Sequence, residues 1–452
     1  MSAGTAPGPS RLDRFLGTSP EDDYDRRYVV YLLVIAIAGW ALASYDFNLL
    51  VVALPTISKD LHMSETQVGL LAFLVYAAML VLSLMVGYCM DRYGRKPMWQ
   101  FALVGAAIFT GLTYFVQSFA ALVVVRALAS GLANSELAIS ITLVNEQVPA
   151  PRRGFLYSIV QGGWPIGVLL SAAVFLGFNG GLGLDWHVIF LFGVAPLAMV
   201  IVGRRWVRPS ERYQQLREIK QAKKQGDEQR VKELLEQHEV DVEEIQEVTL
   251  KQLFTEPGWV RAQLARTTLV WLVYSSAFVA TNTYIVQWLT SYRGFSNDQA
   301  EALLLVAAGV GFFFYVLGGA LGERFGRQRV LIVSALAALV LTVGFYYVKA
   351  SWLIWALYIL VYQATNGTWS GAGYAYWAES FPTRVRGTAV GWLGAMFTGG
   401  LIIGSGVWTL LVGSEGARTL LIVGGGFAVL QFASALLLPH IKPGQELEEV
   451  AT

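Results

Sequence analysis

One charged loop motif occurs twice in this chain, and each copy lies between two long apolar runs. The string GYCMDRYGRK at residues 87–96 returns as GALGERFGRQR at residues 319–329. A second string, NEQVPAPRRG at residues 145–154, returns as AESFPTRVRG at residues 378–387. The two offsets, 232 and 233 residues, are nearly equal. Two unrelated motifs repeated with almost one offset predict two halves of the same topology, a layout typical of membrane transporters.

Composition indicates a membrane protein. Hydrophobic residues make up 55% of the 452 positions and charged residues only 14%, against about 25% charged in average soluble proteins. Runs of about 20 apolar residues are candidates for transmembrane helices. We predict an all-α membrane protein whose twelve transmembrane helices form two six-helix bundles. The predicted spans are roughly 29–54, 67–86, 98–118, 120–144, 155–178, 187–206, 264–290, 301–322, 329–348, 350–377, 385–412 and 419–438.

These spans divide the chain into five parts. We expect a disordered cytoplasmic tail at 1–27, because this segment is rich in Gly, Pro, Ser and acidic residues. The first bundle covers 28–206 and the second 264–438, and a second cytoplasmic tail covers 439–452. Between the bundles, residues 207–263 are predicted to form a cytoplasmic linker with one or two surface helices, since its middle is rich in Lys, Glu and Gln.

Basic residues are distributed unequally between the two predicted sides of the membrane. With the N-terminus in the cytoplasm, 28 of the 33 Lys and Arg residues fall in inside segments. The positive-inside rule therefore predicts a multi-pass protein of the cell membrane with both termini in the cytoplasm. The first apolar run is too long for the core of a cleavable signal peptide. A single cysteine, Cys89, excludes an internal disulfide framework and a cysteine metal site.

The duplicated loops are predicted to form a cytoplasmic gate. Asp91 lies at the end of the second helix, where it can accept hydrogen bonds from neighbouring helix ends and pair with arginines across the boundary between the halves. Gly94 permits a tight turn. Such contacts must break when the halves rock apart. The predicted gate residues are Gly87, Asp91, Arg92, Gly94, Arg95, Glu146, Arg153, Glu323, Arg324, Arg327, Glu379 and Arg386.

These loops resemble those of the major facilitator superfamily, and the resemblance covers residues 28–440. The first copy is similar to the signature loop of that family, and the second is similar to its degenerate repeat. The strings at 145–154 and 378–387 resemble the sugar-porter-like and metabolite:proton symporter branches, although two sugar-porter strings are absent. QGGWPIGVLL at 161–170 resembles the sialate, lactate and aromatic-acid proton symporters. The resemblance implies alternating access, with helices 1, 4, 7 and 10 facing a central cavity.

Three ionisable residues stand out inside the predicted helices, namely Asp46, Arg126 and Glu136. Inserting each of them into a membrane costs about 2.5–3.5 kcal/mol, so we expect each to have a functional role. Helix rise places Asp46 and Arg126 roughly 12 Å and 9 Å from the same membrane face, where they can pair. Phe278 stands 232 positions after Asp46, so proton chemistry is expected in the first half.

The pair can be interpreted in two ways. In a coupling role, Asp46 or Glu136 carries a proton, and Arg126 alternates between that carboxylate and an anionic substrate. In a structural role, a static Asp46–Arg126 bridge holds helices 1 and 4 together.

Several polar and aromatic side chains are candidates for lining the cavity. A lone membrane Asn or Gln more often makes an interhelical hydrogen bond, worth about 0.6 kcal/mol, than a ligand contact. Aromatic rings suit either a sugar or an aromatic acid. The predicted substrate-binding residues are Arg126, Asn134, Gln161, Trp164, Asn282, Tyr284, Gln287, Gln363, Asn366, Trp369 and Tyr374.

Together these features predict a secondary active transporter that couples protons to uptake of a small organic anion, such as a monocarboxylate, a sugar acid or an aromatic acid. The alternatives are transport of a neutral sugar or polyol, efflux by antiport, or a non-transporting sensor. The chain has neither a nucleophile–base pair nor a phosphate-binding loop, so we expect no enzyme activity, no cofactor and no metal. The expected partners are the lipid bilayer, the substrate and the proton. We expect no nucleic acid partner and a monomer.

Overall fold

The structure is a computed structural model of the chain. It describes residues 26–93, 95–147, 159–194, 221–223, 225–237, 258–381 and 383–441, together with 156, 198, 203, 218–219 and 254–255. Within these ranges, side chains are described except at 87–88, 90–92, 95, 136–147, 236, 378, 383–384 and 386–387.

The described part of the first half is a succession of helices. They are α1 (Arg26–Asp60), α2 (Glu65–Tyr93), α3 (Arg95–Leu112), α4 (Phe119–Gln147), α5 (Gly163–Phe175) and α6 (Trp186–Phe192). A π-helical turn, Leu176–Gly181, extends α5. Within the predicted linker, a short polar helix, α7 (Glu228–Gln237), follows a few helical residues at 218–219, 221–223 and 225.

The second half repeats this arrangement with more π-helical turns. Its helices are α8 (Gly258–Phe278), α9 (Ile285–Tyr292), α10 (Asn297–Phe325), α11 (Arg327–Tyr347), α12 (Ser351–Tyr362), α13 (Thr368–Glu379), α14 (Thr383–Glu415) and α15 (Gly426–Ala435). The π turn Val279–Thr283 joins α8 to α9, Gln363–Gly367 joins α12 to α13, and Leu421–Gly425 leads into α15. α8–α9 and α12–α13 therefore correspond to predicted spans seven and ten.

Each of the twelve predicted membrane spans contains helix. Eight described helical segments are long and apolar enough to cross a membrane, and two shorter apolar helices, Phe119–Ser135 and Leu421–Ala435, match spans four and twelve. α6 lies in span six, and the α12–α13 run fills span ten. The all-α fold predicted from the sequence is confirmed.

Glycine allows the central helices to pack closely. α1 packs along α5, and a Cβ atom at Gly167 would lie only 2.2 Å from the Ala41 carbonyl oxygen. A side chain at this position would therefore push α1 away from α5. Gly326 has a φ of +92° in the turn between α10 and α11, so the second copy of the motif contains a glycine-dependent turn.

The two halves meet along α2–α14 and α5–α10. We call the end of the bundle that carries residues 87–96 and 319–329 the motif end, and the other the opposite end. Among the described residues, the hydrogen bonds between halves lie towards the opposite end. They are Tyr76 Oη to Thr283 Oγ1 at 2.6 Å, Tyr284 Oη to the Gly69 carbonyl at 3.0 Å, Asn297 Nδ2 to Thr56 Oγ1 at 3.0 Å, and Tyr292 Oη to Glu65 Oε2. The opposite end is thus closed in this conformation.

Candidate functional site: a buried ion pair beside an aromatic seam

The Asp46 and Arg126 side chains form an ion pair between α1 and α4. Arg126 Nη2 lies 3.0 Å from Asp46 Oδ2, and Arg126 Nη1 lies 3.1 Å from Asp46 Oδ1. Both side chains are fully buried. The pairing expected from helix rise is therefore observed, and the fork of the guanidinium binds the carboxylate with two parallel bonds.

Three neighbouring side chains position this pair. Thr110 Oγ1 on α3 donates to Asp46 Oδ1 at 2.6 Å. The Phe190 ring on α6 lies 5.1 Å from the Arg126 guanidinium carbon, a favourable cation–π distance. Ser130 Oγ, one turn along α4, lies 3.5 Å from Arg126 Nη2. Four helices therefore converge on this pair.

The pair combines a group that accepts a proton with a group that binds anions. Paired, Asp46 and Arg126 have no net charge, which lowers the cost of burying them. A proton on Asp46 would remove the carboxylate charge and leave Arg126 as an uncompensated cation with its fork available. Arg126 Nε is buried without a hydrogen-bond partner among the described residues, so the guanidinium already has one unused donor. A small carboxylate is the complementary ligand.

The third predicted ionisable residue and much of the predicted gate fall outside the described side chains. This applies to Glu136, Gly87, Asp91, Arg92, Arg95, Glu146 and Arg386, whose helix backbones alone are described, and to Gly94 and Arg153, which lie outside the described residues. Their predicted roles stay predictions.

In the second copy of the gate, the structure brings together Arg327 and Glu379. Arg327 Nε and Nη2 each lie 2.5 Å from a carboxylate oxygen of Glu379. Arg327 is buried, and 27% of the Glu379 side-chain surface is exposed. Glu323 and Arg324 are exposed, and the Arg324 guanidinium lies over the Phe325 ring. This bridge ties the start of α11 to the end of α13 within the second half.

Two predicted substrate residues contact each other across the second half. Asn366 Nδ2 donates to Asn282 Oδ1 at 2.7 Å. Both residues lie in π turns, where an extra backbone residue disturbs the regular helix, and such turns are frequent at functional sites. The pair connects spans seven and ten at the level where both helices are interrupted.

Other predicted substrate residues retain an unused polar atom. Gln363 donates to the Ala307 carbonyl at 2.7 Å, and Gln287 donates to Ser291 Oγ at 3.1 Å. In the described structure, the buried Gln363 Oε1, Gln287 Oε1 and Trp369 Nε1 atoms have no hydrogen-bond partner. Buried polar atoms without partners are rare and call for an explanation, such as a ligand or a water molecule.

The remaining predicted substrate residues are engaged within the protein. Asn134 Nδ2 donates to Ser83 Oγ at 3.0 Å, linking α4 to α2. Tyr284 closes the opposite end through its bond to Gly69 and stacks on Trp408, with ring centres 4.5 Å apart. Gln161 is buried. Tyr374 packs beside Trp271 and Trp377.

A row of aromatic rings, which we call the aromatic seam, runs from α1 and α5 of the first half to the second half. The half-buried Trp164 ring lies 5.4 Å from Trp40, 5.6 Å from Phe47 and 6.4 Å from Phe278. Phe278 belongs to the second half, at the position corresponding to Asp46 in the first. The rings continue into the second half through Tyr274, Phe397, Trp271 and Trp369. Such a seam suits a flat, unsaturated molecule.

Two of the buried polar residues that the sequence analysis did not single out matter most for the site. Thr110 carried no signal, because a threonine in an apolar helix is common. Glu301 escaped because it is the first residue of a predicted span, yet only 1% of it is exposed. Glu301 therefore adds a buried ionisable residue of the second half to those that the sequence singled out. In the described part of the chain, no cluster of His, Cys, Asp and Glu has the makings of a metal site.

The fold and its two related halves are those of a transporter of the alternating-access type. The model of the Major Facilitator Superfamily matches residues 36–372 and 294–451. The chain belongs to this superfamily, whose members are transporters rather than enzymes.

The similarity to known proteins covers nearly the whole chain. A probable 4-methylmuconolactone transporter of Cupriavidus pinatubonensis is 24% identical over 90% of this chain and 89% of its own length. The niacin transporter NiaP of Acinetobacter baylyi is 24% identical over 93% of this chain and 95% of its own length. A partially occluded, inward-open structure of the xylose transporter XylE from E. coli has a TM-score of 0.71 at 16% identity, covering 93% of this chain and 100% of that one. This last likeness concerns the fold.

Proposed function

We propose that this protein couples protons to the uptake of a small organic anion, preferentially an unsaturated or aromatic acid. The observation that carries the proposal is the fully buried, bidentate Asp46–Arg126 pair. A buried pair contributes little net stability over apolar packing, whereas ionisable groups within a membrane commonly serve transport.

The cycle follows from the charges of this pair. In the outward-facing state a proton binds an Asp46 carboxylate oxygen, and Arg126 turns its free fork to the carboxylate of the substrate. The halves then close at the opposite end, which faces outward, and separate at the motif end, which faces the cytoplasm. Release of the proton restores the Asp46–Arg126 contact, and this contact displaces the anion from Arg126. The conformation described here, closed at the opposite end, corresponds to the inward-facing part of the cycle.

The aromatic seam supports the preference for flat acids. Trp164 is the half-buried member of this seam, and it lies between rings from both halves. Relatives named for niacin and 4-methylmuconolactone agree with such a cargo. Asn282, Asn366 and Gln363 would supply hydrogen bonds from the second half. We further propose that the protein works as a monomer in the cell membrane, with both termini in the cytoplasm and residues 207–263 as a linker.

Reconstituted protein provides the test. A thermal-shift screen of aromatic acids, sugar acids, monocarboxylates and neutral sugars should first identify a stabilising acid. In proteoliposomes, an inward proton gradient should then drive accumulation of that acid. Asp46→Asn should abolish accumulation while retaining exchange of labelled for unlabelled acid.

Asp185→Asn is the matched control, because it removes an exposed carboxylate of the same half. It should accumulate the acid like the wild type. Accumulation by Asp46→Asn at the wild-type level, or stabilisation by neutral sugars alone, would contradict the proposal.

A further inference from the structure

The second half contains a buried carboxyl group that the proposed cycle does not use. Glu301 lies in α10, one turn after Asn297, or about 6 Å along the helix. Only 1% of it is exposed, and its Oε1 atom has no hydrogen-bond partner in the described structure. No described ion pair includes it. Burying an unpaired carboxylate is costly, so such a group favours its neutral form.

Glu301 lies on the face of α10 that meets the first half. Asn297, four residues earlier, donates to Thr56 of α1 at 3.0 Å. Phe312, eleven residues later, lies where a Cβ atom on Gly162 would be only 2.7 Å away. Separations of four and eleven residues repeat the same helix face. Glu301 therefore lies in the contact between halves, towards the opposite end.

The carboxyl group is not required to cap its helix. Ser296 Oγ accepts from the Gln299 backbone N–H, and Gln299 returns a bond to the Ser296 backbone, forming a complete capping box. The electrostatic effect of the helix end also fades within the first turn. Helix formation therefore gives no reason for a buried Glu at this position.

The surroundings supply no described cation to the carboxyl group. Asp298, three residues earlier on the same helix, is exposed. α5 and its π turn contain no titratable residue. The titratable groups nearest this end on the other packed elements are exposed or engaged: Lys59 and Asp60 of α1, Tyr292 of α9, Tyr346 and Tyr347 of α11, Tyr358 of α12 and Arg293, which donates to the carbonyls of Val348 and Tyr346.

We propose that Glu301 is a second proton-binding site, which permits the opposite end to close only when its carboxyl group is neutral. When the halves separate at that end, the carboxylate gains water and stabilises the open state. A proton taken from the side that the opposite end faces removes this stabilisation. The same proton returns to that side on reopening, so the site controls closure without contributing to net proton transport.

This proposal uses the rocking of the two halves from the proposed function, but not its cargo or its Asp46 proton. The test can therefore be done without substrate. Spin labels are attached through Thr66→Cys and Ser414→Cys, at two exposed positions. They report the opening, because Thr66 Oγ1 lies 3.5 Å from a Cβ position on Gly413, the neighbour of Ser414, in the closed contact. Cys89→Ser supplies the background. Distances are measured by pulsed electron paramagnetic resonance in lipid nanodiscs between pH 5 and pH 9.

For the wild type, we expect a short distance at low pH and a longer one whose population rises with pH, by at most about tenfold per unit for one proton. In the Glu301→Gln variant, the distance between the labels should remain short at every pH. Glu301→Asp should retain a pH-dependent transition. Asp298→Asn, an exposed carboxylate three residues away, is the matched control and should also retain it.

Two results would overturn the proposal. One is a wild-type distance distribution independent of pH, and the other is a pH response of Glu301→Gln equal to that of the wild type. If Glu301→Gln fails to fold, a pH-independent distribution in Glu301→Asp would contradict the proposal as well. A normal pH response together with failed anion accumulation would count against the proposed function alone.

Discussion

Arg126 is bound to Asp46 through its main chain as well as its side chain, because Nη2 also donates to the Asp46 carbonyl oxygen at 3.0 Å. Protonation of the carboxylate would weaken the two side-chain bonds but leave this third bond intact. Arg126 can thus change partners without losing contact with α1. A contact of this kind suits a residue that moves a short distance in every cycle.

Measurements of thermal stability can distinguish a static Asp46–Arg126 bridge from a pair that couples protons to transport. Arg126→Gln leaves Asp46 buried without its cation, a change worth about 3–5 kcal/mol when one partner of a buried pair is removed. We expect a clear drop in the thermal unfolding midpoint. Asp46→Asn combined with Arg126→Gln should recover much of it, yet should not accumulate acid against a gradient. A double variant that is stable and transports normally would show that the pair is only structural.

Thr110→Val should change the pH dependence of uptake. The hydroxyl stabilises the charged form of Asp46 through a 2.6 Å bond, and hydrogen bonds to charged groups are worth about 1.5–3 kcal/mol. Losing the bond favours the neutral form of Asp46, so uptake should persist to a higher pH than in the wild type. Thr113→Val is the control, because Thr113 bonds to the Phe109 carbonyl in its own segment. An unchanged pH profile for Thr110→Val would exclude this role.

Trp164→Leu should reduce the affinity for an aromatic acid more than the affinity for an aliphatic acid of the same charge. Stacking between rings adds about 0.5–1.5 kcal/mol beyond area burial, which corresponds to roughly a twofold to tenfold rise in KM. Trp352→Leu, at a residue that is 73% exposed, should leave both values unchanged. Equal losses for the two acids would indicate a packing defect rather than ring recognition.

Asn282→Ala should impair substrate binding while proton coupling persists. Its partner Asn366 would lose a 2.7 Å bond, and the second half would lose a polar group facing span ten. We expect a raised KM, with the ratio of protons to substrate unchanged in proteoliposomes. If the ratio changes instead, the Asn pair belongs to the coupling machinery.

Glu379→Gln tests the bridge in the second motif copy. It leaves the buried Arg327 without its bidentate partner, which we expect to loosen the motif end. Labelling of the native Cys89 by a maleimide reports accessibility at that end, where Asp91→Ala is predicted to favour the inward-open state as well. No change in Cys89 labelling by either variant would count against a latch.

Much of the architecture could be predicted from the sequence. Repeats, apolar runs and charge asymmetry can each be read from the order of the residues, without knowledge of tertiary contacts. The depth of Asp46 and Arg126 could be read from helix rise alone. The bond from Thr110 to Asp46 could not, because it depends on the rotation of α3 about its own axis. Likewise, the π turns at 279–283 and 363–367 change the helix register by one residue, which no hydrophobic pattern reveals.

The burial of Glu301 is another property that could not be predicted from the sequence. Its position at the edge of an apolar run suggests a solvated helix end, and only the packing of α10 against the other half makes it buried. Tyr284 was predicted to line the cavity from its residue type, but its hydroxyl bonds to the backbone of α2. Its role in substrate binding remains a prediction.

Three of the four described hydrogen bonds that close the opposite end join neutral groups, and the fourth joins the Tyr292 hydroxyl to the Glu65 carboxyl group, whereas the described bridge near the motif end is an ion pair. Screening by dissolved salt weakens exposed charge pairs far more than neutral hydrogen bonds. The two faces of this carrier should therefore respond unequally to ionic strength. Salt in the compartment at the motif end would weaken the Arg327–Glu379 bridge to the extent that Glu379 is exposed, while the same salt on the other side would have little effect on the three bonds between neutral groups.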